Sequence, residues 1–277
     1  MADEHVNAFP RGSFVPHQSP IFWVTHKDRY LRQLLIKDIE AETGRSLIVY
    51  FSDCAQAASG IDLGDDIFIA ELLNGCVTDK IDLLIETNGG ETDATEKICS
   101  LLRNRTSDLR VFVPRKAKSN GTVIAMAGKV IVMGMESELG PIDPSMMNIP
   151  VEFILNAPPG AVNVFDYQMA QTGRKQTQKL AVSLLSTGML KDTDLSLINA
   201  LVDKIATRDV YHSHGSVIDA KEAVALGLKV ENLTSDNQIW IKIGLLRAMY
   251  QHDCTQAKTL KIFEGNRISL IVAAKAV

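Results

Sequence analysis

The chain has 277 residues, 46% of them hydrophobic and 22% charged, with a formal net charge of −4. That length and composition suit one large globular domain or a domain with an appendage, and the small net charge gives no bulk preference for nucleic acid or an anionic membrane surface. The four cysteines, Cys54, Cys76, Cys99 and Cys254, stand far apart without CxxC or Cys/His spacing. They signal neither a zinc site nor a disulfide framework and read as reduced, mostly buried thiols of a cytoplasmic protein.

Taken in order, residues 1–28 carry no charged-then-apolar leader pattern, and their prolines and small residues predict a loose N-terminal arm. Residues 29–43 place Leu31, Leu34, Leu35 and Ile39 on one face of an amphipathic helix that Gly44 ends. Residues 46–51 (SLIVYF) read as the first strand. Residues 52–64 are polar and small, either an ordered loop or a plain connection. Residues 65–73 read as a short helix burying Ile67, Ile69, Leu72 and Leu73.

Two strand-turn-helix units follow. Residues 81–86 (IDLLIE) form a compact apolar strand that runs into Thr87-Asn88-Gly89-Gly90 and a helix over 92–103. Residues 109–114 form another strand, which reaches Lys118-Ser119-Asn120-Gly121 and then an apolar helix over 122–127. A strand over 130–133 and a rigid turn at Gly140-Pro141-Ile142-Asp143-Pro144 complete this region. Alternation of this kind predicts a parallel sheet with right-handed crossovers. Both turns then fall at the same sheet edge, where ligands and chemistry gather.

Beyond the turn, residues 149–160 read as irregular, and 164–187 as a long helix carrying Lys175 and Lys179. Helices are expected over 194–207, 219–226 and 238–252, a strand at 229–230, and a hairpin of 259–263 with 268–273 about Gly265-Asn266. No stretch reaches the ~18 to 20 uninterrupted apolar residues of a membrane span, since Lys129 interrupts the most apolar one, 121–135.

Ser119 is the residue with chemical promise. A serine ahead of an apolar helix is commonly an N-cap. The same place also offers free backbone N–H groups and the positive end of a helix dipole, which suit a developing oxyanion.

The segments IDLLIETNGG (81–90), AKSNGTVIAMAGKVIVMGMESELGPIDP (117–144) and SHGSVIDAKEAVALGL (213–228) resemble those of the serine dehydrogenase proteinase family, soluble relatives of signal peptide peptidase A within the Clp protease and crotonase superfamily. The resemblance runs from about Arg32 to Val230. It implies an α/β ClpP/crotonase-like fold of stacked β-β-α units over 29–232. Residues 233–277 are then a C-terminal helix and hairpin, a candidate oligomerisation element. It further implies a homo-oligomer acting on a peptide or protein substrate with no metal or organic cofactor. Carried over by position, Ser119 is the nucleophile, and Gly89, Gly90 and Asn120 supply oxyanion-hole N–H groups.

A serine hydroxyl needs a base to take its proton. The histidines are His5, His17, His26, His212, His214 and His252, the first two in the arm. The resemblance points to His214. The Clp-type histidine position carries Ile142 and Asp143 instead. Lys175 is the reserve base, because short signal peptide peptidases use a lysine soon after a Pro-Pro pair, and here Pro158-Pro159 is followed by Gly160. A lysine base requires burial. Lys118 is expected to point away as a solvated charge. Asp143 either orients His214 or caps its own turn, the turn role being the expected one. Asn120 stands where relatives usually carry alanine, which keeps open an inert scaffold and, further off, an acyl-CoA enzyme beside the serine peptidase.

Overall fold

Apolar runs with no polar alternation demand burial on both faces, and in this computed structural model, which describes residues 18–147 and 149–274, they form the middle of one sheet. The chain begins with helix α1 (Pro20–Thr43), strand β1 (Ser46–Ser52), helix α2 (Asp65–Asn74), strand β2 (Lys80–Glu86) and helix α3 (Thr92–Arg105). Strands β3 (Asp108–Phe112) and β4 (Lys116–Ala117) then feed helix α4 (Asn120–Met126), a β-β-α unit. Next come β5 (Val130–Met133), β6 (Glu138–Leu139) and the two-residue strands β7 (Ser145–Met146) and β8 (Ile149–Pro150). Helices α5 (Val151–Leu155), α6 (Val164–Thr187), α7 (Leu195–Ala206) and α8 (Ala220–Ala225) precede β9 (Val230–Asn232). Helix α9 (Gln238–Ala257) and the hairpin of β10 (Thr259–Glu264) and β11 (Ser269–Ala273) close the described chain.

The main sheet has the order β11-β10-β1-β2-β3-β5-β9. Strands β1, β2, β3, β5 and β9 are parallel, as the alternation predicts, while β10 and β11 add an antiparallel edge. Strand β10 lies beside β1 with Tyr50 opposite Phe263, so α9 and the hairpin complete the central sheet and one helical layer. The pleat splits the strand residues between two cores. Ile48, Tyr50, Leu83, Ile85, Val111 and Ile131 face one layer, with residues of α2, α3, α4, α6 and α7. Leu47, Val49, Phe51, Leu84, Phe112 and Val132 face Ile36 and Ile39 of α1 and Ile243, Leu246 and Tyr250 of α9. Each such fully buried aliphatic side chain contributes about 1.5–3 kcal/mol.

Several local expectations are corrected. Residues 1–17 of the predicted arm lie outside the described residues, and residues 20–28 are helical, started by Pro20 at the first turn and by Ser19, whose Oγ accepts from Phe22 N at 3.3 Å. Helix α1 buries Arg32, Gln33, Ile36 and Ile39 while Leu31 is exposed. The cause is an ion pair: Arg32 Nε meets Glu264 Oε2 of β10 at 2.7 Å, which turns the polar flank inward. Ile67 is likewise exposed, whereas Ile69, Leu72 and Leu73 are buried as expected. The supposedly irregular 149–160 contains β8 and α5, and Val151 and Ile154 of α5 build a small separate core with Ala170 of α6.

The site is positioned by one crossing. Thr87 N donates to Lys116 O at 3.1 Å, and Lys118 N donates to Thr87 O at 3.0 Å. These bonds lay the turn after β2 alongside the turn after β4, at the carboxyl edge of the parallel strands.

Candidate active site

Ser119 occupies the N-cap position of α4 with φ 52 and ψ −122, and its hydroxyl makes no capping bond. A positive φ at a residue with a Cβ is strained and persists only where surroundings over-determine it. Here Gly121 N donates to Lys118 O at 2.7 Å and Thr122 N to Ser119 O at 2.9 Å, which fixes the bend from both sides. A Cβ on Gly121 would lie 2.6 Å from Thr87 Cγ2, so glycine alone lets the bend sit on the neighbouring turn. The hydroxyl of Ser119 is therefore free of its own helix and half-buried at the sheet edge.

The diglycine turn packs directly against it. A Cβ on Gly89 would stand 2.7 Å from Ser119 Cβ, and one on Gly90 would stand 2.2 Å from Ile61 O. Both glycines have positive φ, 100 and 155. Gly89 N–H is donated to Thr87 Oγ1 at 3.1 Å, so it is already committed. No protein acceptor among the described residues takes the N–H of Gly90, nor that of Asn120 at the first position of α4. The Asn120 side chain reaches back, donating from Nδ2 to Gly90 O at 2.5 Å and to Thr92 Oγ1 at 3.2 Å. It thus holds the turn by its carbonyl.

Loop 53–64 is an ordered brace, which decides between the two sequence readings of it. Ile61 N donates to Gly89 O at 2.8 Å and Glu91 N to Ile61 O at 2.9 Å. Asn88 Nδ2 adds a bond to Cys54 O at 2.9 Å.

His214, Asp143 and Arg208 form a second group. His214 Nδ1 lies 2.7 Å from Asp143 Oδ1, and Arg208 Nε donates to Asp143 Oδ2 at 2.9 Å. The carboxylate of Asp143 is buried, and both its oxygens are taken by side chains of the segment after α7. It does not cap its own turn, which differs from the expected role. Arg208 carries no catalytic motif in the sequence. Its only signal was a cation six residues before a histidine in RDVYHSHG (208–215). Ile142 N bonding to Ile205 O at 2.7 Å, and Leu139 and Ile218 exchanging backbone bonds, bring that segment to the turn.

Lys118 is a correction. It is buried under Gly140, where Nζ donates to Leu139 O at 3.1 Å and Ser216 O at 2.9 Å and pairs with Glu138 Oε2 at 3.2 Å. Burial lowers its pKa, with Glu138 opposing. All three N–H directions are occupied, so it ties β4, β6 and the 213–218 segment together. Lys175 is exposed on α6 and has no ion pair or hydrogen bond of its side chain among the described residues. His212, also exposed, bonds Arg208 O through Nδ1 at 2.9 Å. Among the described residues the Ser119 hydroxyl has no side-chain partner, and no cluster of His, Cys, Asp or Glu could hold a metal ion.

The arrangement offers an unsatisfied hydroxyl at Ser119, free N–H groups at Gly90 and Asn120, and an imidazole held by Asp143. A protein of Methanocaldococcus jannaschii, itself uncharacterised, is 30% identical over 211 residues, which cover 73% of this chain and 69% of that protein. A second uncharacterised protein of that organism is 38% identical over 77 residues, 28% of this chain and 26% of the relative. Among solved structures, a point mutant of the 1510-N membrane-bound stomatin-specific protease is similar with a TM-score of 0.39 and 19% identity, covering 63% of this chain and 72% of that one. ClpP1 from Listeria monocytogenes gives a TM-score of 0.43 and 14% identity, over 73% of this chain and 96% of that one. Residues 63–259, well over half of the chain, match the family described as ClpP-like SDH-type serine proteinases, and to that family, with its α/β ClpP-like fold, this chain belongs.

Proposed function

We propose that the chain is a serine endopeptidase that hydrolyses peptide bonds through an acyl-enzyme on Ser119. The observation that carries this reading is the strained backbone of Ser119, which frees its hydroxyl from capping and sets it against the diglycine turn. Asp143 accepts the Nδ1 proton of His214 and leaves Nε2 with the lone pair. On peptide binding, His214 Nε2 takes the Ser119 proton as Oγ attacks the carbonyl carbon. The N–H groups of Gly90 and Asn120 hold the resulting oxyanion. Collapse breaks the C–N bond, the leaving amine receives the proton from His214, and water then hydrolyses the ester by the same base. Lys175, exposed on α6, lacks the burial that a lysine base requires. The chemistry needs no metal or organic cofactor.

A homo-oligomer is part of the same proposal, supported by the exposed Ile241 and Leu245 on α9 and Ile271 on β11. So is a cytoplasmic location, supported by four free thiols. No helix among the described residues is long and apolar enough to cross a membrane.

The test is labelling with a fluorophosphonate probe and peptide mapping of wild type, Ser119→Ala, His214→Ala and Lys175→Ala. Label is expected on Ser119, lost in His214→Ala and kept in Lys175→Ala. A second reading, an inert assembly protein, is favoured by the lack of a base partner at the Ser119 hydroxyl. Absence of label from every correctly folded form would establish it and overturn the first.

A further inference from the structure

A buried ion pair outside the site grips the loop that shapes it. Lys261, on β10 opposite Ser52, and Asp65, at the start of α2, are 3% and 4% exposed. Lys261 Nζ lies 2.8 Å from both carboxylate oxygens of Asp65 and donates at 2.8 Å to Gly60 O. Asp65 Oδ2 also accepts from Tyr50 OH at 2.6 Å and from Asp62 N at 2.9 Å.

These bonds fall on two consecutive peptide groups. In the Gly60–Ile61 peptide, the carbonyl is held by Lys261 and the N–H bonds Gly89 O. In the Ile61–Asp62 peptide, the N–H is held by Asp65 and the carbonyl bonds Glu91 N. Each planar unit is a rigid strut with the ion pair at one end and the diglycine turn at the other. Between the two anchored points, Gly89 O and Glu91 N, stands Gly90, whose N–H is free. Net stability is a weak explanation for such a pair, because a buried ion pair is often no more stabilising than apolar residues of similar volume.

We infer that Lys261 and Asp65 are positioning residues, which set the direction of the Gly90 N–H through the two peptide groups flanking Ile61 and thereby tune transition-state stabilisation at Ser119. The inference rests on the peptidase reading above. An oxyanion donor acts only at its proper distance and angle, so loosening the struts slows acylation without abolishing the fold or the encounter with the substrate.

The experiment measures fluorophosphonate labelling of Ser119 against probe concentration, which separates the maximal rate constant kinact, the half-saturating concentration and the fraction of chains that label at all. Lys261→Met alone leaves Asp65 buried without its cation and risks the fold, so it is combined with Asp65→Asn. Gly60→Ala is the independent variant: Gly60 has φ −58, suitable for alanine, and the added Cβ would sit 3.0 Å from Gly89 O with the ion pair untouched. In both variants kinact is expected to fall about tenfold to a hundredfold, with the labelled fraction and half-saturation near wild type. A kinact within twofold of wild type in both overturns the inference, as does a loss confined to the labelled fraction, the mark of a purely structural role. A wild type that takes no label overturns the peptidase reading and this inference with it, whereas a labelled wild type with unchanged variants overturns this inference alone.

Discussion

His214 and Asp143 are joined by a 2.7 Å contact from Nδ1 to Oδ1, and the second oxygen of the same carboxylate is fixed by Arg208. The guanidinium of Arg208 also lies over the Phe153 ring, 5.2 Å from its centroid, so the acid is held from a side chain that is itself held. An ionised carboxylate only accepts, so in the proposed mechanism it keeps the proton on Nδ1 and leaves Nε2 to act as the base.

Asp143→Asn tests that logic. The amide can present an N–H to Nδ1 and reverse the tautomer while filling the same volume. Labelling of Ser119 is expected to slow by roughly 10²–10⁴-fold with the fold intact by circular dichroism. Labelling at the wild-type rate would remove His214 from the proposed chemistry.

The proposed oxyanion role of the diglycine turn predicts two different outcomes for two small substitutions. Gly90→Ala forces a methyl to within 2.2 Å of Ile61 O at φ 155, so the turn must separate from loop 53–64. Loss of Ser119 labelling and a lower urea midpoint are expected together. Asn120→Ala removes only the side-chain bonds to Gly90 O and Thr92 Oγ1 and keeps the Asn120 backbone N–H. A change of about 1 kcal/mol in stability and a few-fold change in labelling rate are expected. Equal effects of the two substitutions would contradict the assignment of the donor to the backbone.

How much of this was legible in the sequence follows from how local each feature is. Strand β5 and helix α6 have the bounds read from the pattern, because unbroken apolar or 3.6-period stretches need no partner to be recognised. Ser119 and the diglycine turn were visible for a similar reason, since small residues between a strand and a helix mark a bend. What the pattern misjudged depends on distant partners. Arg32 is buried because Glu264, 232 residues away, receives it. Lys118 is buried because the carbonyl of Ser216 stands over it, and Arg208 matters only once Asp143 is its neighbour. Ile61 clamps Gly89 and Glu91 through backbone atoms, which carry no side-chain signature at all.

The ion pair of Glu86 and Arg247 should be a strong point of the fold. Arg247 Nε and a terminal nitrogen meet the two oxygens of Glu86 at 2.8 and 2.7 Å, and Glu86 is fully buried at the end of β2. Arg247→Met leaves that carboxylate without its cation, a loss of about 3–5 kcal/mol. The pair of Lys242 and Glu42 is much more open to solvent, so Lys242→Met should change stability by roughly 0–1 kcal/mol. Urea unfolding of both variants checks the contrast. Comparable midpoints would mean that Glu86 is neutralised or solvated in the native protein.

The thiols give a last prediction, and one of them reports on the site. Burial pushes Cys54, Cys99 and Cys254 up to about 12, and it raises Cys76 as well. At pH 8 a thiol of pKa about 12 is ~10⁻⁴ thiolate, against roughly a quarter for an unperturbed thiol of pKa about 8.5. A disulfide reagent at pH 8 should therefore titrate the native protein slowly and all four cysteines after urea unfolding. The sign of the linked stability follows. These groups keep their protons in the folded state above the pH at which the unfolded chain releases them, so native stability should fall as pH rises from about 9 toward 12. Cys54 is the informative member, because its carbonyl takes the Asn88 side chain and its residue belongs to the loop that braces the diglycine turn. Fast stoichiometric labelling of Cys54 in the native protein would show that this loop opens, and the turn could not then be rigidly set. Slow labelling of Cys54 that accelerates in Gly90→Ala would show instead that the turn and the loop hold each other closed.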